Sequence, residues 1–280
     1  MSARPPLIRV FVAGLQPWMD PRRLLGPGDW SFDGPTAHAE LTLHAAADLD
    51  ARLRNVTIGG QGPTFSCEPT LPRAAVRAAR TTEARRHRDT TPGFTRPGAR
   101  LDPEGKVSLT PEALATAIGE RVAGRSVVDA GCGAGGNAIG FARAGCTVTA
   151  VEQSTQRLTD ARHNAALYGA ADRIRFVAGD VAEVLIGLVA DVLFADPPWG
   201  SDWSRSGMGV ADLPLLSTVL AHADRFERVI LKLPPSFCVR ELPDFRPEAV
   251  YGLAGGDSRR VKFLLLSQSA RVSGLAPPSP

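Results

Sequence analysis

The residues of this chain best suited to do chemistry are Asp196-Pro197-Pro198-Trp199. They follow an apolar run, Ala190 to Ala195, that reads as a buried parallel strand. Two consecutive prolines end the strand and remove two backbone donors. Carbonyl oxygens are left pointing outward, next to a carboxylate and a flat aromatic. Such a corner accepts hydrogen bonds from an amino group while Trp199 stacks on the ring that carries it. The plainer alternative is a Pro-Pro turn with a tryptophan used for packing.

Upstream, Val127-Val128-Asp129-Ala130-Gly131-Cys132-Gly133-Ala134-Gly135-Gly136-Asn137 reads as a strand, a glycine turn and a helix start. The glycines permit positive φ and the close approach of a ligand. The helix start favours a negative group nearby. Glu152 ends the next strand, where a carboxylate can accept both hydroxyls of a ribose. The spacing of Gly131, Gly133 and Gly136 also fits the dinucleotide fingerprint, with Glu152 at the required distance of about 20 residues. Three features argue against that reading. Asp129 places a carboxylate where a pyrophosphate would be repelled and an ammonium welcomed. Asp180, followed by Val181, ends a third strand, where its side chain can accept from an adenine amino group. The Asp196 corner ends a fourth, where a methyl acceptor would lie.

These features resemble the class I S-adenosylmethionine-dependent methyltransferases. The resemblance implies that Asp129 and the loop carrying Gly131 and Gly133 hold the methionine end of the cofactor, Glu152 the ribose, and Asp180 with the Val181 backbone the adenine. Residues from about Phe94 to Val239 are similar to a narrower group, the trimethylguanosine synthases or RNA cap guanine-N2 methyltransferases. The likeness is carried by Leu101 to Glu112, by Asp129 to Phe141, by Arg157 to Gly169 and by Pro197-Pro198-Trp199-Gly200. In that family the leader folds over the cofactor, so Ser108 and Thr110 are candidate contacts to its methionine part. The tryptophan stacks on the guanine, a role Trp199 inherits with Pro198 beside it. The chain departs from the family in having Asp196 where serine is common, as in amino-methylating enzymes that act on adenine. It has Ser201 in place of a second glycine, and Leu233-Pro234-Pro235 in place of Leu-Pro-Arg.

The chemistry expected is an in-line methyl transfer to the exocyclic amino group of a purine. That nitrogen is a poor nucleophile because its lone pair is delocalised into the ring. Asp196 and the Pro197 carbonyl are the candidate acceptors for its N–H bonds, and Asp196 for the released proton. Base-aromatic stacking on Trp199 is worth roughly 1–3 kcal/mol. No metal is required. Guanine N2 in RNA or a nucleotide leads; a guanine-like metabolite and adenine N6 are the alternatives. A non-catalytic module that keeps the fold is a further alternative, against which the intact corner argues.

The elements that must position these residues follow from periodicity. From Arg125 onward strands and helices alternate, and Arg246 to Tyr251 with Val261 to Ser267 read as a final hairpin. The fold class expected is α/β: a Rossmann-like, mostly parallel sheet with a C-terminal antiparallel hairpin, its ligands beyond the carboxyl ends of the strands. Residues 1–72 read as a small α+β module. Strands are expected over Leu7 to Val12, Ala39 to His44 and Val56 to Ile58, and a helix from Asp48 to Asn55. Residues 73–108 read as a basic helix and leader, 109–270 as the catalytic domain, and 271–280 as a frayed tail.

Composition sets the outer bounds. The chain has 280 residues, 44% of them apolar, enough for a real core, yet no run approaches the ~20 apolar residues of a membrane span. Residues 1–10 carry no signal-peptide pattern, so a cytoplasmic protein is expected. Cys67, Cys132, Cys146 and Cys238 form no C-x-x-C pair, which supports neither zinc nor a disulfide framework. Cys132 reads as a small filler in the glycine loop. Net charge is only +3, but Arg73, Arg77, Arg80, Arg85, Arg86, Arg88, Arg96 and Arg100 stand against Glu83 and Asp89 alone. This stripe is either a phosphate footprint or a solvated helix face. Arg96, within it, is a candidate substrate contact.

Overall fold

The computed structural model describes residues 7–86, 89–200 and 206–269. Two sheets organise them. The first is antiparallel, with strand order β2-β3-β1-β4. Its strands are β1 (Leu7–Ala13), β2 (Ser31–Asp33), β3 (Thr36–Thr42) and β4 (Thr64–Glu68). Helices α1 (Pro21–Leu25) and α2 (Leu43–Leu53) complete a β-α-β-β-α-β unit of the ferredoxin-like kind. β1 and β3 alternate strictly between exposed and buried residues, because one face of the sheet meets water.

Three local expectations for this module are corrected. The strand expected to reach His44 stops at Thr42, whose hydroxyl accepts from the Ala45 N–H and starts a helix instead. That helix therefore begins at Leu43, with no cap at Asp48. Val56 to Ile58 form only an isolated bridge, Ile58 to Gln61, and the sheet's remaining strands are β2 and β4.

The second sheet has strand order β10-β11-β9-β8-β5-β6-β7. Its strands are β5 (Ser126–Ala130), β6 (Thr147–Glu152), β7 (Ile174–Ala178), β8 (Val192–Ala195), β9 (Arg228–Leu233), β10 (Arg246–Tyr251) and β11 (Val261–Ser269). β5 to β9 run parallel, while β11 pairs antiparallel with both β9 and β10. This is the Rossmann-like sheet with its closing hairpin. β5, β8 and β9 are buried on both faces, which is why they read as continuous apolar runs. The connected helices are α3 (Arg73–Arg86), α4 (Gly105–Ser108), α5 (Glu112–Glu120), α6 (Gly136–Arg143), α7 (Thr155–Leu167), α8 (Val181–Val184) and α9 (Pro214–Ala221).

One face of the sheet packs on α5, α6 and α7. Phe141 of α6 meets Phe194 of β8 edge to face, ring centroids 5.0 Å apart, a geometry worth about 0.5–1.5 kcal/mol beyond its buried area. The other face shares a continuous core with the N-terminal module: Ile8, Val10, Leu24 and Leu49 belong to the same cluster as Val128, Leu193, Phe237 and Tyr251. The two sheets are thus fastened by apolar packing. Gly59 adds a backbone hydrogen bond to the Pro235 carbonyl, 2.8 Å. Among the described residues, no helix is long and apolar enough to cross a membrane.

Candidate active site

The chain leaves β5 toward β6 and β7 on one side and reaches β8 and β9 on the other. The switch point lies between β5 and β8, where a crevice opens beyond the strand ends. Asp129, Glu152, Asp180, Asp196 and Lys232 stand at or next to the carboxyl ends of β5, β6, β7, β8 and β9 in turn. A continuous cleft of about 2640 Å³ runs over these ends. It is walled by the leader from Leu101 to Pro111, by the glycine turn, by Asp196 to Gly200 and by the near edge of the N-terminal module.

The turn after β5 is built on positive φ at Gly131 (83°), Gly133 (54°) and Gly135 (88°), conformations an L-residue rarely adopts. The Gly133 N–H donates to Glu152 Oε2 (3.0 Å), and the Ser154 N–H to Glu152 Oε1 (2.8 Å). The Glu152 side chain is thereby fixed in orientation at the cleft wall. Asp180 caps α8, its Oδ1 accepting from the Ala182 N–H at 2.8 Å, and lines the cleft together with Val181. Cys132 is buried, and burial pushes its thiol well above the usual range. It is held as an un-ionised filler.

Asp129 is 0% exposed and lies beneath the turn, outside the cleft lining. Neither of its carboxylate oxygens has a hydrogen-bond partner. Burial, then the nearby Asp196 carboxylate, push its pKa up to about 8, partly countered by the Ala138 N–H, which faces the carboxyl without the geometry of a hydrogen bond, and by the Lys232 ammonium. Asn137, at the start of α6, likewise keeps a buried Oδ1 with no partner.

Asp196 sits in the centre. Its Oδ2 accepts from Lys232 Nζ (2.6 Å), Asn137 Nδ2 (3.1 Å) and Thr110 Oγ1 (3.4 Å). Lys232 is 3% exposed, and its ammonium lies 5.2 Å from the Trp199 ring centroid and 5.3 Å from that of Phe263. Trp199 is half-buried and faces the cleft beside exposed Pro198. The indole is therefore supported from behind and open in front.

The leader covers the glycine turn. Arg157 of α7 donates to Asp102 (2.8 Å) and also pairs with Glu104. Leu109 packs so closely on the start of α6 that a Cβ on Gly136 would stand 2.5 Å from its methyl. Ser108 lines the cleft but spends its hydroxyl on the Glu104 carbonyl. Thr110, 2% exposed, is joined to Asp196 as noted.

Sequence reasoning thus brought together Ser108, Thr110, Gly131, Gly133, Glu152, Asp180, Val181 and Asp196 to Trp199. Arg96 lies apart from them. Arg96 donates to the Leu167 carbonyl (2.7 Å) and stacks over Tyr168, away from the cleft. None of the stripe's described arginines lines the cleft, and Arg88 lies outside the described residues. The cleft's arginines are Arg52, Arg54, Arg157, Arg259 and Arg260. Lys232 was also missed, although a lysine inside the apolar run of β9, in a chain whose other lysines are Lys106 and Lys262, was a visible signal.

A family model for RNA cap guanine-N2 methyltransferases matches residues 124–276, more than half of the chain. The chain belongs to the RNA cap guanine-N2 methyltransferase family. It is therefore a methyltransferase, and S-adenosyl-L-methionine is its cofactor. Among curated relatives, a trimethylguanosine synthase of Schizosaccharomyces pombe is 35% identical over 126 residues, covering 41% of this chain and 52% of that one. An uncharacterized RNA methyltransferase of Gloeobacter violaceus is 33% identical over 123 residues, covering 44% of this chain and 24% of that one. The chain thus spans about half the length of the first relative and about a quarter of the second. Among solved structures, a T. thermophilus 16S rRNA N2 methyltransferase in complex with AdoMet and guanosine is 18% identical, with a TM-score of 0.45, over 89% of this chain and 60% of that one. An RNA methyltransferase of Salinibacter ruber in complex with S-adenosyl-L-homocysteine is 20% identical, with a TM-score of 0.42, over 61% of this chain and 97% of that one.

The residues present fit the cofactor. A buried, unpartnered carboxyl under the turn and an unpartnered amide oxygen on Asn137 suit a cationic ligand end. A carboxylate at the end of β6 suits a ribose, and an aspartate with a following backbone N–H suits an adenine.

Proposed function

We propose that this enzyme methylates the exocyclic N2 amino group of guanine in RNA. When bound, the cofactor supplies an activated methyl group on a sulfonium. The glycine turn and Asn137 hold its methionine part, with Asp129 beneath. Glu152 holds the ribose, and Asp180 with Val181 the adenine. The leader, through Ser108 and Thr110, excludes water from above.

The observation that carries the reading is the Asp196 corner. Lys232, Asn137 and Thr110 all donate to one carboxylate oxygen. They pin the carboxylate and leave Oδ1 to accept an N–H of the substrate amino group. A second N–H can donate to the Pro197 carbonyl. Two such acceptors turn the nitrogen lone pair out of conjugation, and Asp196 takes the proton released as the new C–N bond forms. Trp199 fixes the plane of the base by stacking. Lys232 acts as a positioning residue for Asp196 and offers its remaining donors to an acceptor on the base edge, such as guanine O6.

Family membership favours guanine N2 over adenine N6. The arginines in the cleft favour a phosphate-bearing substrate over a bare metabolite. Incubation with cellular RNA and a labelled methyl donor, followed by nucleoside mass spectrometry, tests this. The expected product is N2-methylguanosine; label confined to adenosine, or present only on a free nucleoside, would contradict it.

A further inference from the structure

Most cations lining the cleft are already matched. Among the described residues, Arg54 holds Asp50, Arg157 holds Asp102 and Glu104, Lys232 holds Asp196, Arg260 holds Glu83 and Lys262 holds Asp257. Among the described residues, Arg52 and Arg259 form no ion pair, and neither does Lys106 on the leader. The acids whose charge acts on Arg52 bond to other arginines: Asp48 accepts from Arg86 (3.0 Å), and Glu83 accepts from Arg260 (2.7 Å).

Arg52 and Arg259 are also neighbours. Arg52 Nη2 donates to the Leu24 carbonyl (3.1 Å) and the Leu25 carbonyl (2.9 Å) at the end of α1. A Cβ on Gly26, the next residue, would stand 2.8 Å from Arg259 Nη1. Arg52 is 8% exposed, and its Nε–H has no hydrogen-bond partner. Burial, then the charge of Arg259, lower its pKa to about 10, against the opposing pull of Glu83 and Asp48. A desolvated guanidinium with a spare donor beside an unpaired, exposed one is a costly arrangement in isolation. It becomes favourable when a doubly acceptor-rich anion enters, because a guanidinium fork matches a phosphate in two parallel hydrogen bonds.

We propose that Arg52 and Arg259 form a phosphate subsite, seated where the N-terminal module meets the catalytic sheet, that holds a backbone phosphate of the RNA substrate. This rests on the reading of RNA as substrate and adds the element that separates a nucleotide chain from a bare guanine. The placement agrees with the reach required. Arg259 precedes β11 by two residues, and Phe263 of that strand packs against Lys232 behind Trp199. Four residues of chain span at most about 14 Å, so the subsite lies within reach of a nucleotide flanking the target base. Arg52 lies on α2 of the N-terminal module and Arg259 in the turn before β11, so the N-terminal module contributes directly to substrate binding. A 5′-phosphate on a single nucleotide presents the same chemistry, and the experiment distinguishes the two sources.

The test uses the full chain and Arg259→Ala. Arg259 makes no hydrogen bond or ion pair among the described residues, so its removal does not undermine the fold. Anisotropy of a fluorescent single-stranded oligoribonucleotide containing guanine is followed between about 50 and 200 mM salt. In parallel, kcat/KM is measured for the oligonucleotide, guanosine monophosphate and guanosine. The expected result is an RNA affinity roughly tenfold lower, with the slope of log K against log salt shallower by about 0.7, the value for one lost phosphate contact on a single strand. The preference for the oligonucleotide over guanosine falls by the same factor. A matching fall in the preference for the monophosphate over guanosine assigns the subsite to the target nucleotide's own phosphate; no such fall assigns it to a neighbouring one. An RNA affinity and salt slope unchanged in Arg259→Ala overturn the subsite while leaving the proposed function intact. If the wild-type enzyme methylates guanosine monophosphate but no RNA, the RNA reading fails, and the monophosphate-to-guanosine ratio alone decides the subsite.

Discussion

Asp129 has a carboxyl group sealed beneath the glycine turn, with no partner for either oxygen and a pKa near 8. In an unfolded chain the same group ionises near 4. Between those values the folded state holds a proton that the unfolded state has lost, so stability falls as pH rises from about 4 to about 8 and levels off above. Asp129→Asn keeps the shape and removes the titration. Thermal unfolding without cofactor is expected to show a flatter pH dependence between pH 5 and 9 than wild type. The variant should also be more stable at the alkaline end, by an amount on the order of a few kcal/mol. An unchanged slope would place the buried proton elsewhere. The positions of Asp129, Glu152, Asp180 and Asp196 were legible in sequence because each ends an apolar strand, and strand ends in such a sheet share one rim. Lys232 was visible but overlooked, because counting apolar residues over Arg228–Leu233 absorbs a single lysine into the strand. Arg52 was not legible, because its importance depends on Arg259, more than 200 positions away, and on burial that no local pattern reports.

At the scale of elements, the leader and the helices beneath it are joined through one carboxylate. Glu112, at the start of α5, accepts from the Thr95 N–H (2.9 Å), the Thr95 hydroxyl (2.6 Å), the Tyr168 hydroxyl (2.8 Å) and Arg143 (2.7 Å). Burial would raise its pKa, but these donors outweigh burial and hold it near 2. Its stabilising contribution is therefore present above about pH 4.5 and lost as pH falls toward 2. Glu112→Gln is expected to cost about 1–3 kcal/mol at neutral pH in chemical denaturation. It should also speed amide exchange in the leader from Gly93 to Thr110, and a variant with wild-type stability and exchange would contradict this. Helix α5 begins at Glu112 with Pro111 as its N-cap and no side-chain cap, because the Thr110 hydroxyl goes to Asp196 instead. The N-terminal module was harder to read. The partial alternation of Ala39 to His44 concealed the helix start after Thr42. Strand β4 is only five residues long, lies between Pro63 and Pro69, and alternates between exposed and half-buried positions without a clear apolar stripe.

For the whole molecule, a mostly parallel sheet with a closing antiparallel hairpin was readable, because strand-helix alternation demands parallel strands and the last two apolar runs have no helix between them; the order of the strands came only with the structure. The relation of the two sheets was not readable. It depends on apolar side chains of β1, α1 and α2 entering the same core as β8, β9 and α9, and on Gly59 bonding to Pro235. We take 1–72 as a module that forms one wall of the substrate cleft, with the leader over 73–108 and the catalytic unit over 109–270. Everything in that arrangement converges on the carboxylate at the end of β8. Removing it alone would strand the buried Lys232 ammonium, so the decisive variant is Asp196→Ala combined with Lys232→Met. The measurement is methyl transfer to guanine-containing RNA, made alongside calorimetric titration with S-adenosylhomocysteine. The account predicts cofactor affinity close to wild type and a rate lower by roughly a hundredfold or more. Methyl transfer at the wild-type rate in that variant would contradict it.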